Sequence, residues 1–314
     1  MLSALTFAAA MVVALVVTPI VRVIAHRRNL LDLPGERKVH AVPVPRLGGV
    51  AMAIAFFVAI GLATIASGDL GAVGLLPNRA PSILAGVAVL FVIGVIDDVR
   101  GMRALVKLAF QVGAAALAWW LGLRIDMLTL PWANLSVAAI SLPLTIVWIV
   151  GVINAVNLID GLDGLASGVV MTVLGAFALL VAPGDPTLPI IAATAGAAIG
   201  FLAYNLHPAS IIMGDTGSMF LGFVVAAIGI SLTQDGLFPQ APWVPIVALG
   251  VPIIDTIWAV IRRTASGTPF FEADRGHIHH QLLVRGLHQR DAMLLLTAVS
   301  AGFAVVAILL GRAA

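Results

Sequence analysis

The run Pro81-Ser-Ile-Leu-Ala-Gly-Val-Ala-Val-Leu-Phe-Val-Ile-Gly-Val-Ile96 carries no charge and stops at Asp97-Asp98-Val99-Arg100. An apolar stretch of this kind reads as a helix crossing a bilayer, which needs roughly 20 such residues. Working outward, nine more runs read the same way. The ten are Leu2–Ile24, Leu47–Ala66, Pro81–Ile96, Leu105–Leu121, Leu135–Ile153, Leu165–Ala182, Leu188–Tyr204, Met219–Leu232, Trp243–Ile261 and Ala292–Leu310. Composition agrees: 61% of the 314 residues are hydrophobic and 10% charged, with a mean hydropathy of +1.10. A soluble domain is about 25% charged, so a soluble enzyme, a disordered chain and a coiled-coil rod are all excluded. The expectation is an all-α integral membrane protein of about ten transmembrane helices. Residues 1–314 form a single polytopic domain, without repeat or linker.

Ten spans place both termini on one side and sort the connections into two sets. Segments near 22–46, 97–107, 157–164, 205–218 and 262–291 hold fourteen of the 17 Lys and Arg. The positive-inside rule makes that set cytoplasmic and the termini external. Trp119, Trp120, Trp132 and Trp243 fall at the opposite ends, as an outer aromatic belt would. All seven histidines and most of the amides and carboxylates also fall in the cytoplasmic set. A transporter would place ionisable groups on broken helices near mid-membrane. Here the chemistry gathers at one face, as in an enzyme of the cytoplasmic interface. A net charge of +2 gives no field for nucleic acid, and the absence of cysteine excludes thiolate chemistry.

Four motifs carry that chemistry. Asp97-Asp98 needs a nearby cation if both are ionised, and reads otherwise as a solvated helix end. In Asn154-Ala-Val-Asn157-Leu-Ile-Asp160-Gly161-Leu-Asp163-Gly164 the three-residue spacing puts four oxygen-bearing side chains on one ridge, if the helix continues. Oxygen donors without sulfur suit Mg²⁺ or Mn²⁺. Met213-Gly214-Asp215-Thr216-Gly217-Ser218 reads as a metal or phosphate site at a helix start, or as a plain N-cap. Arg275-Gly-His277-Ile-His279-His280 can grip a pyrophosphate; zinc is the rival reading. A fifth motif, Lys38-Val-His40 through Pro45-Arg46-Leu-Gly-Gly49, reads as a basic lipid anchor or a substrate loop. Asp255 reads as a structural hydrogen-bonding group within the ninth span. Ala195–Gly200 suits close helix packing within one chain or across a homodimer.

In this order the motifs resemble the polyprenyl-phosphate N-acetylhexosamine-1-phosphate transferases. The matching pieces run from Arg37-Lys38-Val-His40 and Arg46-Leu-Gly-Gly through Asp97-Asp98, Lys107-Leu-Ala-Phe-Gln111, Asn157 to Gly164, Asn205 to Pro208, Gly214 to Ser218 and His277-Ile-His279-His280. That resemblance implies transfer of a sugar-1-phosphate from a UDP-HexNAc donor to a polyprenyl phosphate acceptor, with release of UMP and use of Mg²⁺, at the cytoplasmic face of a bacterial inner membrane. It implies that Asp215 and Asn157 hold the metal. Asp97, with Asp98 beside it, orients or deprotonates the lipid phosphate, and Asp160 completes the acidic cluster. Lys38 and Asp163 address uridine, Asn205 positions the nucleotide, and Lys107, Arg275, His279 and His280 neutralise phosphate. Arg46 and His277 count among the substrate-binding groups. The Arg37-Lys38-Val-His40 and His277-Ile-His279-His280 forms resemble the branch that usually takes UDP-GlcNAc, not the phospho-MurNAc-pentapeptide translocase of peptidoglycan synthesis. The loop 262–291, with Glu272, Asp274 and Arg275, is expected to carry much of the sugar discrimination.

Overall fold

A computed structural model describes residues 1–35, 42–67, 79–130, 132–234, 240–267 and 276–313. The helices are α1 (Leu2–Arg27), α2 (Gly48–Ala66), α3 (Ala80–Arg100), α4 (Ala104–Trp120), α5 (Ser141–Ile159), α6 (Leu165–Leu180), α7 (Leu188–Asn205), α8 (Gly214–Gln234), α9 (Trp243–Ala248), α10 (Gly250–Ser266), α11 (Ile278–Val284) and α12 (Gln289–Ala313). Two short antiparallel strand pairs also lie among the described residues. Strands β1 (Leu31–Asp32) and β2 (Val44–Pro45) pair, as do β3 (Met127–Leu130) and β4 (Ala133–Ser136).

The sequence dictates helix over most of this length because no water in a bilayer can satisfy an open backbone. Seven helices are apolar and long enough to cross: α1, α2, α3, α5 with its preceding 3₁₀ turn, α7, α8 and α12. The other three expected spans fall on α4, α6 and the α9–α10 pair. α4 and α6 are apolar but only 17 and 16 residues long, and the ninth run breaks at Leu249.

Helix α8 is the axis of the bundle. Every residue from Thr216 to Thr233 is buried, and α2, α3 and α5 pack around it. Phe220 stacks edge-on against Phe56 of α2, and Phe223 fills the space beside Gly86 of α3. The outward helices instead leave an apolar stripe uncovered, such as Val12, Val16 and Ile20 on α1. The small residues near 195–200 are used within the chain: Gly196 and Gly200 of α7 meet Ala10 and Ala14 of α1. Trp132 stacks on Trp243, and Arg124 lies over Trp119, at the end of the bundle opposite the acidic residues.

Four element boundaries depart from the sequence expectation. The fifth span does not begin at Leu135, because Ala133–Ser136 pairs with Met127–Leu130 and the helix starts at Ser141. The third span continues past Ile96, so Asp97 and Asp98 belong to the last turn of α3. The eighth starts at Gly214, which places Asp215 inside the first turn of α8. The ridge from Asn154 to Asp163 is broken, since α5 ends at Ile159 and Asp160 leaves the helix with ψ 42°. Only Asn154 and Asn157 share a helical face there.

Candidate active site

The ends of α3 and α5 and the beginnings of α4 and α8 meet at one end of the bundle, and their polar side chains form one connected chain. Lys107 of α4 places Nζ 2.5 Å from Asp97 Oδ2 and 2.9 Å from Asp215 Oδ2. Asp97 also accepts the Met102 N–H at 2.7 Å, which fixes the turn between α3 and α4. On its other side Asp215 Oδ1 accepts a hydrogen bond from the Asn157 amide at 2.6 Å, and that amide also reaches the Ser218 hydroxyl at 2.7 Å. Two carboxylates held this close are stabilised by the ammonium between them.

Asp98 does something different from its neighbour. Its Oδ1 accepts the Asp215 N–H at 2.8 Å, and its Oδ2 accepts the Thr216 N–H at 3.0 Å and hydroxyl at 2.5 Å. It caps the start of α8 from another helix, where a negative charge also suits the helix dipole. The N-cap that the sequence also allows here is therefore supplied by α3. Both Asp98 oxygens are engaged, so this carboxylate positions Asp215, and Asp97 is the one that faces Lys107.

The Arg46-Leu-Gly-Gly motif holds the same turn from the other side. Gly48 and Gly49 donate their N–H groups to the carbonyls of Ile212 and Met213, at 3.0 and 2.8 Å. A side chain on Gly49 would run into the backbone of Gly217, so only glycine lets α2 approach α8 this closely. Arg46 itself pairs with Asp32 of β1. Its side chain borders a cavity of about 290 Å³ that also touches Asp98 and Asn29.

Behind Asn157 the chain turns through Asp160 to Gly164. No hydrogen bond from any described residue reaches the Asp160 carboxyl. Burial pushes its pKa well above the usual range, and the charges of Asp215, Asp98 and Asp163 add to the rise. Asp163 is buried and accepts from the Ala209 N–H at 3.0 Å, and it meets His207 Nδ1 at 2.8 Å. Asn205 accepts the Gly164 N–H at 3.0 Å and donates to the Ile211 carbonyl at 3.0 Å. Asp163 and Asn205 thus tie the 160–164 turn to the 206–213 segment. Both act here on the backbone that carries the site.

The histidine motif arrives from the far end of the sequence. Asp255 of α10 meets His277 Nδ1 at 2.8 Å and accepts the Ile278 N–H at 2.8 Å, capping α11. The structural part expected of Asp255 is therefore to dock this loop. His279 stacks on His277 with ring centroids 5.8 Å apart, has His280 tilted against it at 4.3 Å, and packs against Gly161, where any side chain would strike its ring. His279 is buried, and burial lowers its pKa to about 3, with His280 and His277 adding to the fall and Asp255 opposing it. At neutral pH the ring is therefore a neutral hydrogen-bonding group and not a cation.

That depression has a consequence for stability. The unfolded ring titrates near 6.5 and the folded one near 3. Between those values the unfolded chain binds the extra proton, so the contribution of His279 is complete above about 6.5 and lost as the pH falls. Thermal unfolding in detergent should show the gap between wild type and His279→Gln shrinking from about pH 7 to about pH 5. A constant gap would contradict the buried neutral ring.

Lys38 and Arg275 lie outside the described residues, as do Glu272 and Asp274. The remaining expected groups gather as described. Two contributors are given no role by the sequence. Asp32 holds Arg46, and its signal was only its place in Leu31-Asp32-Leu33-Pro34, ahead of the basic motif. Gln111 accepts from the Asn154 amide at 2.7 Å, joining α4 to α5 beneath the site.

The donor set suits a hard cation: carboxylates and an amide, with no sulfur. Among the described residues no three carboxylate or imidazole groups form a metal-binding set on their own. Mg²⁺ does not require that, since it is commonly held by one or two carboxylates together with substrate phosphates. Asp215, Asn157 and the unpartnered Asp160 fit such an ion.

Residues 80–233 match the family described as Glycosyl transferase family 4. A probable undecaprenyl-phosphate N-acetylglucosaminyl 1-phosphate transferase of Bacillus subtilis is 36% identical, over 98% of this chain and 84% of its own length. A decaprenyl-phosphate N-acetylglucosaminephosphotransferase of Mycobacterium tuberculosis is 35% identical, over 88% and 74%. A phospho-N-acetylmuramoyl-pentapeptide-transferase of Halalkalibacterium halodurans is 33% identical, but over only 61% and 62%.

Proposed function

The chain belongs to Glycosyl transferase family 4, in the branch of the polyprenyl-phosphate N-acetylglucosamine-1-phosphate transferases, and we propose that it transfers GlcNAc-1-phosphate from UDP-GlcNAc to a polyprenyl phosphate. The observation that carries the reading is the linked set Asp97, Lys107, Asp215 and Asn157 at the meeting of four helix ends. It supplies positioning and charge compensation, which is most of what phosphoryl transfer asks of a protein.

In the proposed reaction an oxygen of the lipid phosphate attacks the phosphorus next to the sugar. A new P–O bond forms, the bond to the bridging oxygen breaks, and UMP departs with that electron pair. Asp97, held by Lys107 and the Met102 N–H, orients the acceptor phosphate and takes its proton when it carries one. Lys107 sits between Asp97 and Asp215 and offsets charge gathering on the transferred group. His279, beside Gly161, and its neighbour His280 donate hydrogen bonds to the pyrophosphate. Asp98, Asn205, Asp163 and Asp255 hold the backbone that carries these groups. Asp215 and Asn157, with Asp160, would hold Mg²⁺ or Mn²⁺, which supplies positive charge against the pyrophosphate.

UDP-GlcNAc conversion by the purified protein should stop with chelator and return with Mg²⁺. Undiminished turnover after exhaustive chelation would remove the metal from this account.

We also assign the site to the cytoplasmic face of a bacterial inner membrane, with both termini outside, on the strength of the Lys and Arg asymmetry. The chain lacks cysteine, so single cysteines report cleanly. A cysteine at Asp185 should react with an impermeant reagent in intact cells and one at Arg285 should not. The reverse labelling would invert the topology.

A further inference from the structure

At the end of α1, Arg22, Val23, His26 and Arg27 line an open cavity of about 530 Å³ together with Pro45 and Ser210. Among the described residues no carboxylate lines it, and no ion pair engages Arg22, His26 or Arg27. Two guanidinium groups and an imidazole therefore face one volume, with no counter-charge from the described residues.

An apolar stripe leads to that volume. Val12, Val16 and Ile20 are each more than half exposed on α1, and Val23 and Ile24 continue the line at helical spacing to the cavity. In a bilayer such a stripe lies against acyl chains, and a cationic group at its end meets the headgroups. The cavity also has walls from two other segments, β2 through Pro45 and the 206–213 segment through Ser210. Those segments are joined by the Ile212 N–H, which donates to the Pro45 carbonyl at 2.9 Å.

We propose that this cavity is a binding site for the phosphate headgroup of an anionic glycerophospholipid, with one acyl chain along α1. The apolar approach favours a lipid over a soluble anion. The acceptor lipid must reach Asp97 and Lys107, and the cavity shares no lining residue with the acidic cluster. The proposal does not depend on the transfer reading, because its test measures lipid retention and not turnover.

The protein is equilibrated in detergent with equal amounts of phosphatidylglycerol and phosphatidylcholine, and retained lipid is read by native mass spectrometry. Wild type should prefer phosphatidylglycerol. Arg22→Gln and Arg27→Gln should each reduce that preference about fivefold, the size of one cation's attraction near an anionic surface. Arg22→Lys and Arg27→Lys should keep most of it, and thermal unfolding confirms that each variant is folded. An unchanged preference in both Gln variants would overturn the site. So would displacement of the lipid by millimolar-scale inorganic phosphate, which marks a soluble-anion site, or by equimolar polyprenyl phosphate, which marks an acceptor route.

Discussion

Asp215→Asn is expected to lower GlcNAc-1-phosphate transfer by about two to three orders of magnitude, the usual cost of removing one oriented electrostatic group from a reacting centre. The substitution keeps the size of the side chain and the possibility of a hydrogen bond to Asn157. It removes the charge that faces Lys107 at 2.9 Å and a ligand proposed for the metal. The α8 cap does not depend on it, because Asp98 binds the backbone of residue 215 and not its side chain. The variant should therefore fold and remain in the membrane with a near-normal unfolding temperature. Near-normal turnover in Asp215→Asn would place the chemistry elsewhere.

Asp98→Ala should do the opposite kind of damage. It leaves the Asp215 N–H, the Thr216 N–H and the Thr216 hydroxyl without their acceptor in a buried setting. Hydrogen bonds to a charged group contribute about 1.5–3 kcal/mol each, so the loss should lower stability by several kcal/mol and misplace Asp215 as well. The unfolding temperature and turnover should fall together. Asp98→Asn, which can still accept from part of the set, should lie between Ala and wild type in both measurements. A variant that loses turnover while keeping full stability would make Asp98 a reacting group and not a positioning one.

The sequence makes the membrane class legible because composition and apolar runs are local properties. The grouping of the described candidate residues at one end of the bundle is legible too, because they lie at helix ends or in the connections between helices. Boundaries are harder. Leu135–Ile140 is apolar enough to join the fifth span, yet Leu135 and Ser136 pair with Leu128 and Met127 of β3, a partner that no hydropathy window sees. Gly214 and Asp215 look like a loop because they are polar, but a carboxylate from α3 lets the helix begin there. The same holds for Arg46, whose partner is Asp32, and for His277, whose partner is Asp255. Long-range pairs of this kind decide which polar groups face a substrate and which hold backbone, and residue type alone does not separate them.

The central claim is that a phosphosugar moves as a unit. The most direct measurement uses purified protein, polyprenyl phosphate and UDP-GlcNAc labelled at the phosphorus next to the sugar. The account predicts that label and sugar appear together in the lipid, in equal amounts with unlabelled UMP. Sugar in the lipid with the label left in UDP, or no lipid product from this donor while a UDP-MurNAc-pentapeptide donor is consumed, would contradict it.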